Sequence, residues 1–322
     1  MKKAIPLCLF LCALLSCEQA EIAIEKHSAG EINVTQINLE ENYSQQVFYN
    51  LNDNAIVSEN RKTEWDLGFE SSEEGWRIII NSATFSQLAK ISTTDFNSGI
   101  NIDTLNWTWD NPKGINNGTA FGDYLDKEEV YVLDRGYNLD GTLRGYKKIT
   151  IDSTNSNSYF ITYANIDNTN LQTYEIKKDN NFNFQYLSFD NENIQIEPTK
   201  QEWDLVFTQY THLYTENTET PAYLVTGILI NYLNNITVAK DTINNFDDIT
   251  LDMIDQYSFT NNQNDIGFNW KEYNFESQIY TVNSETNYII SDISGRYFKL
   301  HFTDFYNSYG QKGCPTFEVQ EL

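Results

Sequence analysis

The sequence predicts an all-β protein, built from two similar antiparallel β repeats with few short helices. Short aromatic and β-branched segments, such as residues 130–133 and 159–163, recur along the chain as they do in strands. Clusters of Asn, Asp, Gly and Ser separate these segments, and such residues favour the turns between strands. Two long parts of the chain are also similar to each other. A duplicated β fold accounts for all three observations.

The composition excludes several classes of protein. The 322 residues include 46 acidic and 21 basic side chains, and the net charge of −25 argues against nucleic-acid binding, which needs clustered Lys and Arg. Only three histidines are present, which argues against multi-His metal sites and most His-based catalysis. Phosphate-binding loops, nucleophile elbows and zinc-protease helices have no matching motif in the sequence. We therefore predict that the protein is not an enzyme.

The N-terminal residues are predicted to direct the protein to the cell surface. Residues 1–16 combine a basic start with an apolar segment too short to span a bilayer, which is the pattern of a signal peptide. The sequence LLSC, ending at Cys17, matches the bacterial lipobox, so Cys17 is predicted to be lipidated and to open the mature chain. A plain signal peptide cut near Ala20 is the alternative. Residues 17–32 are predicted to be a polar tether to the outer membrane.

An internal duplication covers nearly all of the remaining chain. Residues 47–69 align without gaps on residues 185–207, and the sequence EWDL recurs in both, at an offset of 203 − 65 = 138. We assign the first repeat to residues 33–180 and the second to residues 181–322. Helical patterns are scarce within them.

The second repeat contains residues that the first repeat lacks. Beyond the EWDL motif the offset grows from 138 to 150, because residues 78–81 match residues 228–231. This predicts an insertion of 150 − 138 = 12 residues between Thr208 and Val225. Within each repeat the pattern is that of strands, and short helices are predicted only at residues 246–257 and 85–91.

The paired Trp-Asp motifs permit two interpretations. An aspartate beside a tryptophan is consistent with a catalytic acid or a sugar-binding pair. The alternative is architectural, in which Trp65 and Trp203 fill one core each, while Asp66 or Asp204 accepts backbone N–H groups at a strand turn. We favour the architectural interpretation because a single active site does not need two copies of the motif.

His212 is the candidate ligand residue. It lies in the inserted stretch between Tyr210 and Tyr214, and imidazole is a common axial ligand of haem iron. The alternative is a loop histidine stacked on one of these tyrosines. Met253, the only methionine beyond Met1, is a candidate second ligand, although gap-filling in a core is the more usual role of Met. The other histidines lie in the tether and in a strand with alternating pattern.

The sequence resembles the HmuY family in the order of its motifs along the chain. The lipobox, the strand with the pattern Trp-Asp-Leu-x-Phe, the Asn-bearing strand that follows it, and the C-terminal residues 295–318 carry the resemblance. It spans most of the second repeat and, more weakly, the first repeat.

The resemblance implies an all-β outer-membrane lipoprotein. Such a protein captures haem at the cell surface and delivers it to a TonB-dependent receptor, without catalysis. Two histidines hold the iron in the best-known member, and methionines serve in others. For this chain the expected iron ligand is His212, in a site with Tyr210, Tyr214 and Met253. The alternative is a non-catalytic surface lipoprotein that binds a protein partner or a glycan through exposed aromatic residues.

Overall fold

The computed structural model describes residues 28–91, 93–115, 118–214 and 221–322. These residues form antiparallel sheets with a few short 3₁₀ helices, which confirms the predicted fold class. Cys17 lies outside the described residues, so its lipidation stays a prediction. Within the described ranges, no helix has the length and apolar character needed to cross a membrane.

Strands account for most of the regular structure in the described part of the chain. They are β1 (Asn33–Gln36), β2 (Gln45–Asn50), β3 (Ala55–Arg61), β4 (Leu67–Glu70), β5 (Ile78–Ile80), β6 (Gln87–Lys90), β7 (Val130–Asp134), β8 (Tyr146–Thr154), β9 (Ser158–Ala164), β10 (Gln172–Lys177), β11 (Phe184–Ser188), β12 (Glu192–Ile194), β13 (Leu205–Leu213), β14 (Ala222–Ile230), β15 (Thr237–Asp241), β16 (Lys271–Asn274), β17 (Ile279–Val282), β18 (Asn287–Ser291), β19 (Tyr297–Tyr306) and β20 (Lys312–Glu321). The 3₁₀ helices are Ser82–Thr84, Ile102–Thr104, Tyr232–Asn234, Phe246–Asp248 and Leu251–Gln256.

The structure contains two five-stranded sheets. One has the order β10-β9-β8-β7-β6, with all its strands from the first repeat, and the other has the order β1-β20-β19-β18-β15, in which strand β1 of the first repeat joins four strands of the second. Leu88 lies opposite Leu133 in one sheet, as Val238 lies opposite Ile290 in the other. Because successive side chains of a strand point to opposite faces, this common register puts equivalent apolar residues on the inner face of each sheet.

The first hairpin of each repeat pairs with the other repeat. Hairpin β2–β3 joins β13, with Tyr49 opposite Leu205, in a sheet of order β14-β13-β2-β3. Hairpin β11–β12 joins β4, with Leu187 opposite Leu67, in a sheet of order β12-β11-β4-β5. The two pairings are equivalent by the repeat, so each repeat completes a sheet of the other. The predicted boundary between residues 180 and 181 stays a prediction, while the sheets combine strands from both sides of it.

The two aspartates of the EWDL motifs hold this exchange in place. Asp66 N donates to Leu187 O and Asp204 N donates to Tyr49 O, both at 2.9 Å. Their carboxylates also accept backbone N–H groups across the exchange, since Asp66 Oδ2 lies 2.9 Å from Phe189 N and Asp204 Oδ2 lies 2.7 Å from the N atom of Leu51. The structure thus confirms the architectural interpretation of these aspartates.

The expectation that Trp65 and Trp203 fill one core each is wrong. Both indoles are 6% exposed and lie in a single hydrophobic cluster between the two halves of the molecule. The exchange is the reason, because Phe48 packs edge-on against Trp203 at a centroid distance of 5.1 Å and Tyr186 against Trp65 at 5.0 Å. The two larger hydrophobic clusters of the molecule are built from other residues.

Two helix predictions also need correction. Residues 85–91 contain strand β6 instead of a helix, because Phe85 has a left-handed backbone (φ 64°) and Leu88 pairs with β7. Residues 246–257 contain two short 3₁₀ helices, Phe246–Asp248 and Leu251–Gln256, in place of one longer helix.

Candidate functional site

The inserted residues lengthen one hairpin of the second repeat. Strands β4 and β5 have four and three residues, whereas their equivalents β13 and β14 have nine each. The extension is rich in Thr, Tyr and Val, which favour strands. His212 lies opposite Tyr223, and Tyr210 lies opposite Val225. This confirms the predicted place of the insertion and puts His212 near the end of the hairpin.

A loop from later in the chain brings a third aromatic ring to His212. Gly227 on β14 has no side chain, and a Cβ atom there would collide with the carbonyl group of Gly267. The two backbones therefore approach closely and pair, with Ile228 N donating to Gly267 O at 3.0 Å and Gly267 N donating to Ile228 O at 3.1 Å. Phe268 follows directly and reaches the imidazole.

The imidazole of His212 is held by aromatic edges. The ring of Tyr214 lies 4.9 Å from it at 80°, and the ring of Phe268 lies 5.0 Å from it at 68°. Nδ1 is buried and has no hydrogen-bond partner among the described residues, which leaves Nε2 as the nitrogen that a ligand would bind. Burial lowers the pKa of His212 from its ordinary value, which keeps the imidazole neutral at pH 7. A neutral imidazole with an available lone pair is a metal ligand or a hydrogen-bonding group.

The three tyrosines on and beside the extended hairpin differ in accessibility. Tyr214 is 40% exposed and Tyr223 is 58% exposed, so both rings are available at the surface. Tyr210 is only 1% exposed and belongs to the cluster between the repeats. The expectation that its ring stacks on a ligand beside His212 therefore needs correction, because the phenyl group lies beneath the hairpin.

Met253 and His301 lie on other elements. Met253 is half-buried on the 3₁₀ helix Leu251–Gln256, and its role as a second ligand stays a prediction. His301 stacks on Phe246 with a centroid distance of 4.1 Å and an angle of 11°. Its Nδ1 lies 3.0 Å from Ser284 O and its Nε2 lies 3.1 Å from Glu318 Oε2, so both nitrogens are engaged.

The described residues fit a haem whose iron would be held by one histidine. His212 supplies an imidazole whose Nδ1 has no hydrogen-bond partner among the described residues, and Tyr214, Tyr223 and Phe268 supply aromatic surface near it. Within the described ranges, no group of three or more His, Cys, Asp or Glu side chains is arranged to hold a metal ion by itself. A site of this kind holds iron through its macrocycle and one protein ligand.

A separate cavity lies between the two repeats. It has a volume of about 90 Å³ and is lined by Trp65, Trp203 and Tyr186 together with two buried acids, Asp110 and Glu197. Burial raises the pKa of Asp110 to about 7 and that of Glu197 to about 8. Small-molecule pockets usually measure roughly 300–1,000 Å³, so this cavity is too small for a macrocycle.

The sequence comparison decides the family. Residues 42–185 and residues 180–319 each match the HmuY protein family. The chain belongs to the HmuY family. The double match confirms both the resemblance seen in the sequence and the tandem duplication of an HmuY unit. No curated protein matches the chain.

Several solved structures are similar to this HmuY-family chain. Apo PinO from Porphyromonas gingivitis has 9% sequence identity and a TM-score of 0.31, over 91% of this chain and 97% of that one. The apo HmuY analog of Tannerella forsythia has 16% identity and a TM-score of 0.24, over 54% of this chain and 95% of that one. A Bacteroides vulgatus protein named as HmuY-like and heme-binding has 15% identity and a TM-score of 0.25, over 54% and 90%.

Proposed function

We propose that this HmuY-family protein binds haem, or a related tetrapyrrole, at the cell surface for iron acquisition and without catalysis. The observation that carries the proposal is the neutral imidazole of His212, which stands near the end of the extended hairpin, with no hydrogen-bond partner for Nδ1 among the described residues and with aromatic rings on two sides. Membership in the HmuY family supports a binding protein rather than an enzyme.

The residues around His212 have separate roles in this proposal. Haem would supply the iron, and His212 would hold that iron through Nε2. The exposed rings of Tyr214 and Tyr223 would offer apolar contact area to the macrocycle, since aromatic side chains bury a large area. Phe268 packs edge-on against the imidazole of His212 and limits its rotation.

We expect hemin titration of the mature protein to give a Soret band, and His212→Ala to abolish or shift it. Loss of the only protein ligand should weaken binding by well over tenfold, which is more than about 1.4 kcal/mol. His301→Ala is the matched control, because both nitrogens of that imidazole are already engaged. Circular dichroism of both variants should match the wild-type protein.

The same titration has an expected pH dependence. Protons compete with iron for the imidazole, so affinity should be constant above the lowered pKa of His212 and fall as the pH drops through it. Wild-type protein without a hemin spectrum, or a His212 variant that binds unchanged, would contradict the proposal.

A second candidate function rests on exposed aromatic residues. Phe275, at the turn between β16 and β17, is 85% exposed, and Tyr309, at the turn between β19 and β20, is 88% exposed. Such rings favour contact with a protein partner or a glycan. This function takes the place of haem binding if hemin gives no spectrum.

Lipid attachment at Cys17 completes the proposal. A lipid-anchored protein on the outer membrane stays within reach of a TonB-dependent receptor, which we propose as the recipient of the haem. We expect the intact mass of membrane-extracted protein to correspond to a chain that begins at Cys17 and carries acyl groups. A mature N-terminus near residue 21 without added lipid would exclude the anchor.

A further inference from the structure

The equivalent aspartates of the two repeats, Asp66 and Asp204, have different charged neighbours. In the first repeat, Asp66 is fully buried and is bonded to two arginines. Arg135 is bidentate, with Nε 2.8 Å from Oδ1 and Nη2 3.0 Å from Oδ2, and Arg144 Nη2 lies 3.0 Å from Oδ1. A planar guanidinium matches a carboxylate in this geometry. The first repeat therefore contains a carboxylate site filled by guanidinium groups of its own chain.

In the second repeat an aspartate stands where Arg135 stands in the first. Arg135 N donates to Gly145 O at the point where β7 ends and β8 begins. Asp292 N donates to Arg296 O at the same point between β18 and β19, and both distances are 3.0 Å. The side chain next to Asp204 has thus changed from a cation to an anion.

The turn at this point is also shorter in the second repeat. Residues 136–144 form the loop of the first repeat and supply Arg144, whereas only residues 293–295 connect the strands of the second. The shorter turn leaves a pocket of about 380 Å³ beside Asp204. The pocket therefore occupies the side of the aspartate that arginines cover in the first repeat.

The pocket carries an excess of negative charge. Its charged lining residues are Asp53, Glu202, Asp204, Asp292 and Arg296. Arg296 neutralises Asp292, with Nε 2.8 Å and Nη2 2.6 Å from Oδ2. Asp204 is 8% exposed, and no salt bridge reaches it from the described part of the chain. Burial is the main reason that its pKa is raised to about 6; the charge of Asp292 raises the pKa further, and the charge of Arg296 lowers it.

The rim of the pocket is partly apolar. Val57 is 38% exposed and Ile293 is 52% exposed, and both line the pocket. An arginine side chain combines a charged head with an apolar stem of methylene groups, so it matches a carboxylate at the base and aliphatic residues at the rim.

We propose that this pocket binds the guanidinium group of an arginine side chain that a partner protein presents. The guanidinium pairs with Asp204, as Arg135 pairs with Asp66, and the methylene stem lies against Val57 and Ile293. The occupied site of the first repeat is the structural precedent, because it shows the same aspartate of the same motif holding this group. The pocket is an interaction site for a basic partner and does not involve His212.

Calorimetric titration of the mature protein tests the proposal, with N-acetyl-arginine amide as the probe. We expect saturable binding, and at least tenfold weaker binding of N-acetyl-lysine amide, which lacks the planar fork. Asp204→Asn keeps an acceptor for Leu51 N but removes the charge, and Asp292→Arg places the first repeat's residue in the pocket. Each should weaken binding of the arginine probe at least tenfold, while Glu272→Gln, a charge change outside the pocket, should not.

Three results would overturn the proposal. They are equal binding of the arginine and lysine probes, unchanged binding in both pocket variants, and competition by calcium chloride at a concentration that leaves the protein folded. Thermal unfolding confirms that each variant is folded, and Asp292→Arg decides the question if Asp204→Asn does not fold.

Discussion

Arg135→Met is expected to destabilise the protein by about 3–5 kcal/mol, the usual cost of removing one partner of a buried ion pair. The methionine keeps most of the volume of the arginine stem, so the loss reports on charge rather than on a cavity. The carboxylate of Asp66 is fully buried and loses two hydrogen bonds to Arg135, while Arg144 alone remains as its cation. Urea unfolding monitored by tryptophan fluorescence measures the change.

Lys90→Met is the matched control for this substitution. The ion pair of Lys90 with Glu129 joins β6 to the start of β7, and the lysine side chain is 57% exposed. Exposed pairs contribute about 0–1 kcal/mol, so the unfolding midpoint should hardly move. Equal, small effects of the two substitutions would show that the Asp66 cluster is not a stabilising element of the fold.

The duplicated fold was predictable because both repeats retain the same structurally required side chains. Asn81 shows why: its Nδ2 donates to the carbonyl groups of Lys62 and Trp65, and Asn231 makes the same bonds to Lys200 and Trp203. Such buried polar side chains are constrained by their partners, so both copies retain them. The alignment of the repeats follows from these residues.

The exchange of hairpins was not predictable. Hairpins β2–β3 and β11–β12 have the same pattern, and each offers the same backbone groups to either β4 or β13. Pairing within a repeat and pairing between repeats therefore satisfy equivalent hydrogen bonds, as Asp66 N to Leu187 O and Asp204 N to Tyr49 O illustrate. Side-chain patterning sets which face of a strand is buried, but not which of two equal partners it takes.

The candidate site was predictable only in part. His212 was a candidate because it lies in the inserted segment that only the second repeat contains. Phe268 was missed because it reaches the imidazole from a loop that is distant in sequence, through the close approach of Gly227 and Gly267. The pocket beside Asp204 was missed because the strands on either side of it follow different offsets, which hides the replacement of Arg135 by Asp292.

Trp203→Ala is expected to destabilise the protein by about 3–5 kcal/mol, the usual cost of removing a buried indole. The reason is that Trp203 is 6% exposed in the cluster that joins the two repeats. Trp65→Ala should cost more than Trp203→Ala by the value of one hydrogen bond, about 1 kcal/mol. Trp65 Nε1 donates to Gln46 Oε1 at 2.9 Å, whereas Trp203 Nε1 has no partner in the described structure, because Phe184 stands at the position equivalent to Gln46.

A double-mutant cycle turns this prediction into a test of the hairpin exchange. Phe48 is carried by the first hairpin and packs on Trp203, at a centroid distance of 5.1 Å and an angle of 82°. The coupling energy of Phe48→Ala with Trp203→Ala should therefore be about 0.5–1.5 kcal/mol, and larger than that of Phe48→Ala with Trp65→Ala. If the first hairpin paired within its own repeat, Phe48 would pack on Trp65 and the order of the two coupling energies would be reversed. Equilibrium unfolding of the wild-type protein and of the single and double variants decides between these arrangements.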